Sequence, residues 1–145
     1  MDTVPLHAVL TLILELVMGV GLLVGGLLAR LRRFRLHAWC QSVIVLVNLF
    51  AIVFSMMPAF RLQVIPMVPQ KLGKSYYALA TAHAVLGAVA EVAGLYILLA
   101  AGTSVLPKTV RITRYKLWMR TVLALWWGAL LLGVATYGRW YLPRR

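Results

Sequence analysis

The stretch His7–Ala29, HAVLTLILELVMGVGLLVGGLLA, decides the fold. It is apolar throughout apart from His7, Thr11 and Glu15. At a rise of 1.5 Å per residue, a helix over it is long enough to cross a hydrocarbon core of roughly 30 Å. Three further blocks of this kind follow, and the helices are expected at about 5–29, 37–57, 75–101 and 117–141. The 145 residues are 63% hydrophobic and only 12% charged. A soluble domain of this size carries about a quarter of its residues as charged groups. The expectation is an all-α integral membrane four-helix bundle forming one transmembrane domain. A conventional soluble enzyme, a disulfide scaffold and a disordered chain are excluded, and the lone Cys40 cannot form an intramolecular disulfide.

Local signals set the expected ends. Pro5 suits a first helical turn, the second block stops at Pro58, Ser75 is a good N-cap and Gly102 a natural C-cap. Ala59 to Lys74, with Pro66, Pro69 and Gly73, reads as an external loop along the interface. The first block lacks a basic n-region and is too long for the apolar core of a signal peptide, so no cleavable signal peptide is expected.

The net charge of +12 is not a nucleic-acid signal, because the basic residues cluster at the ends of the apolar blocks. Anionic lipid head groups are the expected partners there. Nine basic residues fall on one side (Arg30, Arg32, Arg33, Arg35, Lys108, Arg111, Arg114, Lys116, Arg120) and six on the other (Arg61, Lys71, Lys74, Arg139, Arg144, Arg145). The positive-inside rule then puts both termini outside the cytoplasm. Tyr137, Trp140 and Tyr141 fit an aromatic belt on the outer side, with Trp39 and Trp118 marking the inner one.

The opening stretch recurs. His83–Val105, HAVLGAVAEVAGLYILLAAGTSV, repeats His-Ala-Val-Leu and again places a glutamate, Glu91, eight residues after its histidine. Eight of 23 aligned positions are identical. The chain reads as two helical hairpins in parallel relation, and a short-loop bundle sets its first and third spans diagonally. His7 and His83 are then expected to face one another near the outer side, with Glu15 and Glu91 about 12 Å deeper.

A mid-membrane carboxylate costs about 2.5 to 3.5 kcal/mol on insertion scales and normally turns inward to a partner. Glu15 and Glu91 therefore suit either proton transfer or structural hydrogen bonds to Asn48, Gln41 or Thr11. His7 and His83 are candidate axial ligands of a b-type haem. Ala80, Gly87, Gly94 and Ala101 form a smooth stripe beside His83, against which a macrocycle or another helix could pack. His37, Arg114 and Arg120 are candidates for a quinone or haem-propionate contact, or form a snorkelling basic belt, the favoured alternative. Gln41, Asn48 and Ser55 recur every seven residues as a polar stripe. A copper site using Met56, Met57 and Met67 is disfavoured. No hydrolytic or group-transfer motif is present, and no independent catalytic activity is expected.

His37-Ala-Trp-Cys-Gln, His83-Ala-Val-Leu-Gly, and Trp118-Met-Arg-Thr leading to Leu132-Gly and Tyr137 resemble a family of small four-helix bacterial membrane proteins that accompany haem–copper oxidases. That family includes the CtaM-type oxidase assembly factors. The resemblance spans nearly the whole chain and implies a role around a respiratory complex in the bacterial cytoplasmic membrane. Two readings follow. One is an electron-transfer protein holding b haem between the first and third spans. The other is a non-catalytic accessory or assembly subunit packing through its small-residue stripe and Trp118, Trp126, Trp127 and Trp140. A small proton-coupled carrier built on the repeat ranks third.

Overall fold

A computed structural model describes residues 4–107, 109, 111 and 113–141. Lys108, Arg144 and Arg145, which enter the charge count, and Pro143, beyond the last span, lie outside the described residues. The chain folds as α1 (Leu6–Arg30), α2 (Phe34–Ala51), α3 (Met57–Gln63), α4 (Val68–Lys71), α5 (Ser75–Gly102) and α6 (Tyr115–Tyr141). Strands are absent among the described residues. Four helices are long and apolar enough to cross a membrane: α1, the run of helical turns from Phe34 to Lys71, α5 and α6. Adjacent contacts run α1–α2, α2–α5, α5–α6 and α6–α1, so the long helices form a ring with α1 and α5 on one diagonal.

The core is thin. Met18, Leu22, Ile44, Val45, Ala90, Val122 and Trp126 form its buried centre, and large apolar side chains cover the outside of each long helix. This is the inverse of a water-soluble protein and suits helices whose outer solvent is hydrocarbon.

Three expected ends shift by one residue. Pro5 is the N-cap of α1 rather than a first-turn residue, Lys74 rather than Ser75 caps α5, and Gly102 is the last residue of α5. Thr103 closes α5, its hydroxyl donating to the Leu99 carbonyl at 2.7 Å.

The second span departs most from expectation. Pro58 does not end it, and residues 59–74 are not an open loop. A π-helical turn over Ile52–Met56 adds a residue to the coil, and the Met57 amide donates to the Ile52 carbonyl. Pro58 then falls in the first turn of α3, where its missing N–H costs little. Pro66 and Pro69 likewise open a 3-10 turn (Ile65–Met67) and α4. The π turn also shifts the inward face. The stripe Gln41, Asn48, Ser55 extrapolates to Leu62, yet Leu62 is 79% exposed while Val64 is 3% exposed.

The link from α1 to α2 is very short. The Arg32 amide donates to the Ala29 carbonyl and the Arg33 amide to that of Leu28, a Schellman closure with Arg32 at φ 58°. A side chain in this left-handed region costs about 1 kcal/mol or more. Arg32→Gly is therefore expected to raise the midpoint of thermal unfolding in detergent. A lowered midpoint would show that the arginine side chain contributes more than its backbone strain costs.

Candidate functional site

The long helices enclose a half-open cavity of about 340 Å³ at the end of the bundle where α1 and α5 begin and α6 ends. Its lining runs from His7 to Leu22 on α1 and from Trp126 to Tyr141 on α6. Each stretch corresponds to about 22 Å of helix, so the cavity is long and narrow. Phe60, Gln63 and Val64 of the α3 segment lie at its mouth, together with Tyr137 and Trp140. Met18, Leu22, Ala90 and Trp126 form its floor. The volume lies at the small end of the range for ligand sites.

Three polar pairs lie along this space. Near the mouth the Thr11 and Ser55 hydroxyls meet at 2.8 Å. The Thr11 hydroxyl also lies 2.8 Å from the His7 carbonyl, which accepts from it. One turn deeper, Glu15 Oε1 faces His83 Nε2 at 3.7 Å across the diagonal of the bundle. At the deepest level the Asn48 amide donates to Glu91 Oε2 at 2.8 Å. Glu15 and Glu91 are the only buried charged-type side chains among the described residues.

The Glu15–His83 pair is held by α6. His83 Nδ1 lies 2.8 Å from the Ala129 carbonyl. A carbonyl only accepts, so Nδ1 carries the proton and Nε2 is the nitrogen turned to the carboxyl. Gly133, one turn on, leaves the niche that receives the pair. A Cβ there would stand 2.6 Å from Glu15 Oε2 and 2.9 Å from His83 Cε1. Below the Asn48–Glu91 pair, Trp126 Nε1 donates to the Ala90 carbonyl at 3.1 Å and fixes the indole across the floor.

Several expectations about spacing are corrected by these contacts. His7 and His83 do not face one another at one depth. His83 stands level with Glu15, eight residues and about 12 Å along α1 from His7. His7 is exposed at the rim. A haem held by both imidazoles needs them level and inward, and this arrangement does not supply that. Gln41 is no partner for either glutamate: its side chain packs onto Gly25 near the opposite end of the bundle. His37 Nδ1 lies 2.8 Å from the Gly25 carbonyl, and no hydrogen bond joins His37 to Arg114 or Arg120 among the described residues. Both arginines are exposed. The small-residue stripe divides: Gly94 packs against Val45 and Trp126, while Gly87 faces open space on the cavity wall. Met56 and Met57 line the cavity; Met67 does not.

Sequence reasoning found both glutamates, His83 and Asn48 but missed the roles of Gly133 and the Ala129 carbonyl. A glycine in an apolar helix and a backbone carbonyl carry no signature that separates them from their neighbours. No known protein family matches the chain, and neither a curated protein nor a solved structure does.

Two glycine substitutions separate niche from open wall. Gly133→Ala is expected to destabilise the protein by about 1 to 3 kcal/mol, the usual cost of overpacking a filled interior. Gly87→Ala meets open space and is expected to be neutral or mildly stabilising, since alanine favours helix over glycine by about 1 kcal/mol. Detergent-resistance or thermal-unfolding curves of the two variants check this order. Equal effects would mean that the niche does not hold the pair.

Proposed function

We propose that this protein is a non-catalytic accessory or assembly subunit of a bacterial respiratory membrane, working beside a larger complex. The observation that carries the reading is the internal commitment of the residues otherwise available for redox chemistry. His83 is engaged by Ala129 and Glu15, His37 by Gly25, and His7 stands apart at the rim. The thin core and the apolar outer faces of the four long helices support it further, since such helices suit burial among lipid and neighbouring subunits. The respiratory setting rests on the resemblance to small four-helix proteins that accompany haem–copper oxidases. In that setting the ends rich in Arg30, Arg32, Arg33 and Arg35 face the cytoplasm and anionic lipid, and the cavity opens on the other side.

The test is native electrophoresis of the tagged protein in a mild detergent, with in-gel oxidase staining and a reduced-minus-oxidised spectrum of the purified chain. Co-migration with oxidase activity and a featureless spectrum of the isolated chain are expected. Migration alone, with a b-type band lost in both His7→Ala and His83→Ala, would overturn the accessory reading in favour of haem-based electron transfer.

A further inference from the structure

We infer that the cavity binds one acyl chain of an anionic phospholipid, which enters sideways from the bilayer between α2 and α5 and leaves its phosphate at the rim beside Arg61 and Lys71. This goes beyond the accessory role, which does not depend on it.

The first observation is an open seam. At the depth of the cavity, side chains close three of the four seams around the ring. Between α1 and α2 the Thr11 and Ser55 hydroxyls meet. Between α1 and α6, Leu130 packs onto Gly19 and Glu15 lodges at Gly133. Between α5 and α6, His83 reaches the Ala129 carbonyl and Leu86 lies against Gly128. The α2–α5 seam is held only deeper, where Asn48 bonds Glu91 and Val45 packs against Gly94. Ala84, Gly87 and Ala88 follow on the same face of α5 toward the mouth, and all three line the cavity. A Cβ on Gly87 would meet no atom within 4 Å, and Ala88 is exposed. Met57, on the facing run, also lines the cavity and is exposed.

The second observation is the lining. Apart from its few polar side chains the wall is apolar, with Leu12, Met18, Ile52, Met56 and Leu130 on it. Thr11, Ser55, Glu15, His83 and Asn48 are already engaged with partners inside the protein. Water needs two to four polar partners per molecule and finds few here, whereas apolar cavities take apolar guests. The space extends about 22 Å along the bundle and is far too narrow for a helix about 10 to 12 Å across. A single flexible chain fits it, and hydrocarbon chains are what a bilayer presents at the open seam.

The third observation is charge at the rim. Phe60 and Trp140 lie at the mouth. Arg61 follows Phe60 and is exposed. Lys71 Nζ stands 6.0 Å from the centre of the Tyr77 ring, which meets Trp140 edge-on at 6.4 Å. Neither cation forms an ion pair among the described residues, where Glu15 and Glu91 are the only acidic side chains and both are buried. Two such cations over an apolar slot match a phosphate over its acyl chain.

Photolabelling of the full chain in nanodiscs tests this. The bilayer is phosphatidylcholine with a minor share of phosphatidylglycerol carrying a diazirine midway along one acyl chain. Peptide mass spectrometry is expected to find adducts at Thr11, Met18 or Ser55 inside the bundle, besides those at Phe54 and Leu131 outside it. Gly87→Phe, which fills the slot, is expected to remove the inner adducts and keep the outer ones. Ala88→Phe, which blocks the seam from an exposed position, is expected to do the same and serves should Gly87→Phe not fold. With the diazirine on phosphatidylcholine instead, inner labelling is expected to fall about fivefold or more, the preference one basic residue gives an anionic head group. Arg61→Gln combined with Lys71→Gln is expected to abolish that difference. Thermal unfolding confirms that the variants are folded. Adducts confined to outer faces, inner adducts indifferent to both phenylalanine variants in folded protein, or equal inner labelling from the two head groups would overturn the inference.

Discussion

Two carboxyl groups inside an apolar bundle constrain the rest of this structure. Hydrocarbon offers no partner for an acidic oxygen, so Glu15 and Glu91 turn inward and the helices pack where partners exist. Glu15 reaches His83 across the bundle and lodges against Gly133, while Glu91 takes the amide of Asn48. These contacts tie α1 to α5 and α6, and α2 to α5. Dispersion between apolar side chains would be nearly as favourable in several registers, because lipid competes for the same surfaces. The polar contacts separate one register from its neighbours.

The surrounding chemistry follows from what those contacts leave over. His83 is oriented by a backbone carbonyl, a bond no side-chain substitution on α6 removes directly. Space remains where Gly87 presents no side chain, and it ends where Trp126 is fixed by the Ala90 carbonyl. The outer half of the bundle is therefore hollow, its wall mostly apolar with Thr11, Ser55, Glu15, His83 and Asn48 set into it. The inner half is filled by Met18, Leu22, Ile44 and Val45.

Hydropathy alone made the four long helices legible, since blocks of more than twenty apolar residues have few other stable forms. The inward glutamates were legible for a related reason: a lone carboxyl in such a block has nowhere else to go. The repeat was misleading about depth. His7 and His83 occupy matching sequence positions, but vertical placement is settled by packing, and the niche at Gly133 draws Glu15 level with His83. The segment after Pro58 is not legible in the sequence, because a proline near a helix end usually marks a stop. A π turn relocates that proline to a first turn, and the sequence Ile-Val-Phe-Ser-Met carries no mark of it.

That π turn divides one long helix into two orientations. An α-helix of constant pitch presents a single inward stripe, so residues facing the interior at mid-depth and at the end are fixed relative to one another. One additional residue in the coil breaks this phase relation. Asn48 and Ser55 keep the phase of the bundle interior, and Phe60, Gln63 and Val64 adopt another that brings them over the mouth of the cavity. The wall and the roof of the cavity thus belong to one continuous helical run with a rotational joint between them. The residues that cover the cavity therefore cannot be read from the heptad spacing that places Asn48 and Ser55.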